Sequence, residues 1–170
     1  MEMVVSVGAL LISLAALYFS QWHSSAKAIL CFNSRFFDCA GEKSDRQLNY
    51  AFSNTGNQEL YIKDIALLLG PSPVGHLKYD APYLEVAINR VEPFVLKPGE
   101  IRPFTILHDA AYEPPKGSVA NEYRYTLLSL EVISANGKRY QVTHDISELG
   151  PSGPELKHPI WKGVPLGKPV

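Results

Sequence analysis

An uncharged apolar segment near the amino terminus constrains this chain more than any other feature. From Met3 to Trp22 there is no charged side chain, and the segment reads MVVSVGALLISLAALYFSQW. A helix of about twenty residues extends about 30 Å, which matches the hydrocarbon thickness of a bilayer. Tyr18, Phe19 and Trp22 end the segment, and such aromatic side chains favour the membrane interface. We therefore predict a transmembrane helix over residues 3–22, with the lipid bilayer as its partner.

Two alternatives compete with a membrane anchor. Ala26-Lys27-Ala28 has the small-x-small form of a cleavage site, which would make the segment a cleaved signal peptide. A signal peptide begins with basic residues, however, whereas Glu2 is the only charged residue before this apolar run. A buried core helix is the third possibility, but such helices are usually amphipathic and this one is apolar all round. These features together favour the anchor.

The charges that flank the segment predict its orientation. Lys27 and Arg35 follow it, and no Lys or Arg precedes it. Because Lys and Arg concentrate on the cytoplasmic side of membrane helices, this bias favours an external amino terminus and a cytoplasmic globular domain. A signal peptide or a conventional signal anchor would instead place the domain outside the cytoplasm.

Two cysteines follow the anchor. A disulfide between Cys31 and Cys39 is a candidate, because the intervening Asn33-Ser34-Arg35 could form a turn. Such a bond would stabilise the fold by roughly 2.5 kcal/mol and would imply an oxidising compartment. Two free, buried thiols are the alternative, which the predicted cytoplasmic orientation slightly favours.

The remaining chain divides into three parts. We predict a juxtamembrane linker over residues 23–27, a β-sandwich domain over 28–149 and a Pro-rich extended tail without regular secondary structure over 150–170. About 120 residues suffice for one domain with one core. A net charge of −1 gives no reason to expect a nucleic-acid partner.

The domain has the sequence pattern of short strands. Apolar runs rich in strand-forming residues alternate with breaks that contain Gly, Pro and Asn, and Tyr83 to Asn89 is one such run. Asn136-Gly137 predicts a hairpin, and Lys63-Asp64 interrupts an alternating run, which predicts a bulge. No later segment has a sustained helical period. About seven strands in an antiparallel two-sheet sandwich are therefore expected.

Two turn motifs carry a resemblance to a known class of domain. The stretches FSNTGNQELYIKDIALLL and FVLKPGEIRPFTI contain Asn54-Thr55-Gly56 and Leu96-Lys97-Pro98-Gly99-Glu100. Through these two motifs, the chain resembles the immunoglobulin-like β-sandwich domains of bacterial membrane-anchored or cell-envelope proteins. The resemblance implies a fold and supplies no active site. At the first motif, Gly56 and the neighbouring Asn residues are available for backbone with positive φ.

The sequence offers weak candidates for metal binding and none for catalysis. His108-Asp109 and His144-Asp145 end two predicted strands, and imidazole and carboxylate groups are common zinc ligands. A strand-end histidine in solvent, or bonded to a loop, is the favoured alternative for each. No nucleophile motif, phosphate-binding loop or grouped carboxylates appear. We therefore expect no enzyme activity and no cofactor.

Exposed aromatic residues in long Pro-containing segments are the candidates for partner binding. They are Tyr112 with Pro114 and Pro115, Tyr79, and Trp161 in the tail. Such segments are either binding elements or simply mobile. For the tail, a strap along its own domain or a disordered end is favoured over a recognition segment. The resulting hypothesis is a non-catalytic, membrane-anchored binding or scaffold module, an accessory subunit of a membrane complex with a protein partner. The alternative is an exported, soluble ligand- or carbohydrate-binding sandwich with a cleaved signal peptide.

Overall fold

The computed structural model describes the backbone of residues 2–21, 25–37, 45–71, 83–109, 125–147 and 161–170. Side chains are described over the same ranges except at 2–5, 19–21, 37, 45, 46 and 109. The helix α1 extends over Glu2–Gln21. Across the described residues, no helix reaches the combination of length and apolarity that a membrane crossing requires.

The other regular elements of the described chain are antiparallel strands. They are β1 Ala28–Phe37, β2 Asp45–Asn54, β3 Leu60–Gly70, β4 Leu84–Glu85, β5 Phe94–Leu96, β6 Ile101–Asp109, β7 Tyr125–Ser134, β8 Arg139–Asp145 and β9 Val164–Pro165. One sheet has the order β6-β2-β1-β9, and the other has the order β4-β3-β7-β8, with β5 also paired to β3. The expected all-β, two-sheet architecture is thus confirmed.

One apolar core contains side chains of both sheets. Leu30, Tyr50 and Phe52 of the first sheet are fully buried, as are Ile62 and Leu128 of the second. Burying one large apolar side chain contributes about 1.5–3 kcal/mol. Leu48, Tyr50 and Phe52, which alternate along β2, therefore contribute to the packing that joins the sheets.

The central strands of the second sheet are also buried on the opposite face. Leu68 and Leu127 are paired across β3 and β7, and both are fully buried. Their neighbours Leu67 and Leu128 belong to the core, so Leu68 and Leu127 lie on the other side of the sheet. Strands that are buried on both faces have continuous apolar runs in place of clean alternation.

Two local features confirm sequence predictions. The hairpin between β7 and β8 turns at Asn136-Gly137, where Gly137 has φ of +80°. The pairing of β3 with β7 shifts between Ile62 and Asp64, so Lys63 is the extra residue of a bulge. The described chain has nine strands where about seven were expected, and β9 is a two-residue pair that the sequence pattern does not reveal.

The segment after β4 closes one side of the two-sheet structure. Strand pairing ends at Glu85, so the prediction of a strand up to Asn89 was wrong. The chain instead leaves β3 and joins β6: Val86 N donates to Leu67 O, and Ile88 N donates to Leu107 O. The Asn89 side chain accepts from Leu107 N at 2.6 Å. This crossing hides edges that would otherwise be open to another chain.

The carboxyl-terminal segment closes the opposite side. Val164 and Pro165 pair with β1, and Leu166 N donates to Ala28 O at 2.8 Å. Val170 N then donates to Arg139 O of β8 at 2.9 Å. The described part of the tail, residues 161–170, is therefore a strap along its own domain. The expectation that the tail has no regular secondary structure was wrong at β9.

Candidate functional site

His144 lies in the core, although it was expected in solvent or bonded to a loop. Its Nδ1 is 3.0 Å from Oη of Tyr50, and its ring meets the Tyr50 ring edge-on. Burial raises the pKa of Tyr50 far above its ordinary value, so the phenol remains protonated at neutral pH. The pair forms a hydrogen bond between the two sheets.

The two His-Asp dipeptides do not form a common metal site in the described part of the chain. His108 is buried on β6, where it bridges Ala87 at the crossing segment, whereas His144 contacts Tyr50 and lies on β8. Asp145 accepts a hydrogen bond from Ser147 N at 2.9 Å, and the side chain of Asp109 lies outside the described ones. Among the described residues, no group of three His, Cys, Asp or Glu side chains could hold a metal ion.

Only one of the candidate partner-binding residues is described. Tyr79, Tyr112, Pro114 and Pro115 lie outside the described ranges, so their roles stay predictions. Trp161 is half-buried, its ring centroid lies 5.0 Å from that of Phe32, and it packs against the core. Trp161 therefore helps to hold the strap against its own domain. The predicted role of Trp161 as a partner contact stays a prediction.

The cysteine pair is described at one of its two positions. Cys31 is half-buried on β1, and its thiol has no disulfide partner among the described residues. A Cβ atom placed on Gly163 would lie 3.4 Å from its Sγ, so the strap passes close to the sulfur. Cys39 lies outside the described residues, and the disulfide stays a prediction.

The two turn motifs of the sequence meet in space around Asn54. The buried Asn54 amide donates to Gln58 O at 2.7 Å and to Leu96 O at 3.0 Å, and it accepts from Gly56 N at 3.0 Å. The Asn54 backbone accepts from Gly99 N and donates to Glu100 O. Every polar atom of this side chain is therefore bonded, as burial requires. One amide fixes the β2–β3 turn against the β5–β6 turn.

The same turn holds the linker that follows α1. Thr55 N and Gly56 N both donate to Lys27 O, and Asn57 N donates to Ser25 O. Ser25 N in turn donates to Oδ1 of Asn57 at 2.7 Å. We call this contact of residues 25–27 with residues 54–57 the linker junction. Sequence reasoning missed it, because a turn motif gives no information about which distant backbone packs on it.

Gly56 is required at the linker junction for a different reason from the one the sequence suggested. Among the described residues, positive φ occurs only at Gly99 and Gly137, so Gly56 does not use that freedom. A Cβ atom on Gly56 would lie 2.7 Å from Lys27 N and closer still to Ser25 O. Glycine therefore allows the two backbones to approach each other.

The helix α1 presents apolar side chains to its surroundings. Every residue from Ser6 to Tyr18 is exposed except Gly8, which is half-buried. The large apolar residues among them are Val7, Leu10, Leu11, Ile12, Leu14, Leu17 and Tyr18, each more than half exposed. A contiguous apolar surface of this kind indicates contact with a membrane or with another protein.

A buried carboxylate lies on the outer face of the second sheet. Glu131 Oε2 is 2.8 Å from Nζ of Lys63, and its Oε1 is 3.5 Å from Nη1 of Arg139. The bulge at Lys63 thus supplies the closer of the two cations. A shallow cavity of about 210 Å³ beside it is lined by Glu131, Arg139, Tyr140 and Val170.

Comparison with known proteins identifies no family. No protein-family model and no curated protein sequence matches this chain. Among solved structures, it is similar to a Bordetella pertussis protein described as ApaA, at 12% identity and a TM-score of 0.45, over 71% of this chain and 89% of that one. It is also similar to a FixG-related protein from Vibrio parahaemolyticus, at 12% identity and a TM-score of 0.31, over 69% and 93% of the respective chains. The β-rich fold of this chain follows from its own strand pairing.

Proposed function

We propose that this chain is a single-pass, membrane-anchored binding module in which α1 lies in the bilayer and an immunoglobulin-like β-sandwich binds a protein partner. The observation that carries the proposal is the exposed apolar surface of α1, which extends from Val7 to Tyr18. Water disfavours such a surface by about 25 cal/mol for each Å² exposed, and the hydrocarbon core of a membrane removes this cost.

The linker junction supports an anchor over a cleaved signal peptide. Cleavage after Ala26-Lys27-Ala28 would leave Ile29 as the first residue. That cut would remove Ser25 and Lys27, whose backbones are bonded to the β2–β3 turn. It would also remove Ala28, which is buried and accepts a hydrogen bond from Leu166 N. Residues 25–28 belong to the folded domain, so a mature chain that lacks them is disfavoured.

Alkaline carbonate extraction of membranes from cells that express the full chain tests the anchor. The wild-type chain is expected in the membrane pellet. A Leu11→Arg, Leu14→Arg variant is expected in the supernatant, because each Arg costs about 2.5–3.5 kcal/mol at the centre of a membrane helix. The matched control places the same substitutions at Ile88 and Val95, two exposed apolar residues outside α1, and stays in the pellet.

Two results would overturn the anchor. One is extraction of the wild-type chain into the carbonate supernatant. The other is a mature protein whose amino-terminal sequence starts at Ile29, which would favour the exported ligand-binding alternative.

The proposal also places the domain in the cytoplasm and gives it a protein partner. Lys27 and Arg35 on the carboxyl side of α1 support this orientation. A cytoplasm-active reporter fused after Val170 should function, and a reporter active only outside the cytoplasm should not.

The protein partner is tested by light scattering after extraction in mild detergent. A complex with a stoichiometric second polypeptide is expected, and a monodisperse chain of 18.8 kDa would contradict the partner.

A further inference from the structure

The described turns at one end of the two sheets gather around the linker junction. Gly99 N of the β5–β6 turn donates to Asn54 O, and Ala135 N of the β7–β8 hairpin donates to Glu59 O. The strap reaches the same end, where Val170 N donates to Arg139 O. We call this surface, made of residues 25–27, 54–59, 96–102, 134–139 and 166–170, the proximal end.

The chain enters the proximal end directly from α1. Gln21 ends the helix, and Ser25 is the first residue held by the linker junction. Four residues of extended chain span at most about 14 Å, so the two points cannot be farther apart. Whatever surrounds the end of α1 is therefore within reach of the proximal end.

The proximal end is basic although the whole chain has a net charge of −1. Its described residues include two carboxylates, Glu59 and Glu100, of which Glu100 accepts a hydrogen bond from Lys97 N. All six cations there are exposed, and no side-chain ion pair of Lys27, Lys97, Lys138 or Lys168 occurs in the described part of the chain. The cations are Lys27, Lys97, Arg102, Lys138, Arg139 and Lys168.

We propose that the proximal end contacts anionic lipid headgroups and thereby orients the sandwich on the membrane surface. The proposal rests on the membrane anchor proposed above. Each Lys or Arg held close to an anionic leaflet contributes about 1 kcal/mol of attraction, which falls off within a Debye length of about 8–10 Å. The short connection between Gln21 and Ser25 keeps the proximal end close to the end of α1, and therefore close to the membrane surface. An acidic protein is the competing partner, and the test separates it from lipid.

The test uses the full chain in nanodiscs of zwitterionic lipid and in nanodiscs that contain anionic phospholipid. Amine acylation followed by mass spectrometry reports the reactivity of each lysine. We expect Lys97, Lys138 and Lys168 to react several-fold more slowly in the anionic nanodiscs at low salt, and equally in both at high salt. Lys63 and Lys162, which lie outside the proximal end, serve as internal controls whose reactivity stays the same.

Charge variants test whether the lysines of the proximal end cause the lipid contact. A Lys97→Glu, Lys138→Glu variant should lose the protection of Lys168, whereas the matched Lys162→Glu variant should retain it. Equal reactivity of the three lysines in both lipids at low salt would overturn the proposal. Protection that is independent of lipid charge would also overturn it, because it would indicate contact with protein.

Failure of the anchor is distinguishable from failure of the lipid contact. A chain that does not co-elute with nanodiscs of either composition contradicts α1 as the anchor. A chain that co-elutes with both but is acylated equally contradicts only the headgroup contact.

Discussion

The phenol oxygen of Tyr50 and the Nδ1 atom of His144 form a 3.0 Å hydrogen bond that joins the two sheets through the core. Tyr50 is on β2, and His144 is on β8. Phe104 stacks on the Tyr50 ring, and Phe32 meets it edge-on. A polar pair in such surroundings helps to fix how the sheets align, because any slip would break the bond between these two buried groups.

Tyr50→Phe should lower the stability at neutral pH by about 1–2 kcal/mol, since His144 loses its bonded partner in the core. Urea denaturation of the detergent-solubilised chain measures the change. The matched control is Tyr61→Phe, which removes a hydroxyl from a more exposed ring and should change the stability by less than about 0.5 kcal/mol. Equal effects of the two substitutions would argue against the hydrogen bond between the sheets.

The raised pKa of Tyr50 predicts that the stability of the fold falls at alkaline pH. Burial raises the pKa of Tyr50 in the folded state, so the unfolded chain loses this proton first. The stability linked to Tyr50 is therefore complete below about pH 10 and is lost as the pH rises above it, by about 1.4 kcal/mol per pH unit. Denaturation curves at pH 10 and pH 11 give the free energy of unfolding at each pH. Between these two values, the free energy of unfolding should fall less in Tyr50→Phe than in the wild type. Identical slopes would contradict the raised pKa.

Gly56→Ala should disrupt the linker junction, because the added methyl group meets the backbone of Ser25 and Lys27. Overpacking of this kind costs about 1–3 kcal/mol. Gly167→Ala is the control, since its Cβ would have no atom within 4 Å. Thermal or urea unfolding compares the two variants. An effect of Gly56→Ala no larger than that of the control would mean that the linker is not held by this turn.

Leu166→Ala should lower the stability by about 2–5 kcal/mol, the usual cost of truncating a buried Leu. The reason is that Leu166 is buried in the shared core although it lies only four residues from Val170. Val170→Ala, at a side chain that is 78% exposed, provides the control. If chemical denaturation finds the same midpoint for both variants, the strap does not contribute to the core.

Lys63→Met should cost more than Arg139→Met, although both remove a cation from Glu131. Lys63 is the closer partner, at 2.8 Å against 3.5 Å, and its side chain is the less exposed of the two. We expect about 1 kcal/mol for Lys63→Met and less than about 0.5 kcal/mol for Arg139→Met, because solvent screens both pairs. The reverse order in urea denaturation would contradict the assignment of Lys63 as the main partner.

Local patterns of this sequence predict the parts of the fold that local chemistry determines. Asn136-Gly137 specifies its hairpin because the turn needs positive φ, and the change of phase at Lys63 specifies the bulge. The alternation along β2 identifies the core face, since one of its two faces packs between the sheets. Leu127, by contrast, gives no indication in the sequence that its face of the sheet is also buried.

Features that depend on distant backbone could not be predicted in this way. His144 has the same local pattern as His108, a His-Asp pair at the end of a strand, and both are buried. The pattern does not reveal that His144 is bonded to Tyr50 on the facing sheet. Gly56 was associated with positive φ because turns commonly use Gly for that purpose. Its actual role depends on Ser25 and Lys27, about thirty residues earlier in the chain, which no local pattern encodes.

The linker junction has a mechanical consequence for a domain pulled through its amino-terminal helix. Tension applied at Ser25 does not act on the first pair of β1 alone. It is divided among the hydrogen bonds of the linker junction, which join residues 25–27 to residues 54–57. Asn54 is in turn bonded to Leu96 and Glu100, so part of the tension is passed to the other sheet. The load is thus shared between both layers at the point of attachment. Unfolding under force would have to break this cluster as a unit before any strand could peel away.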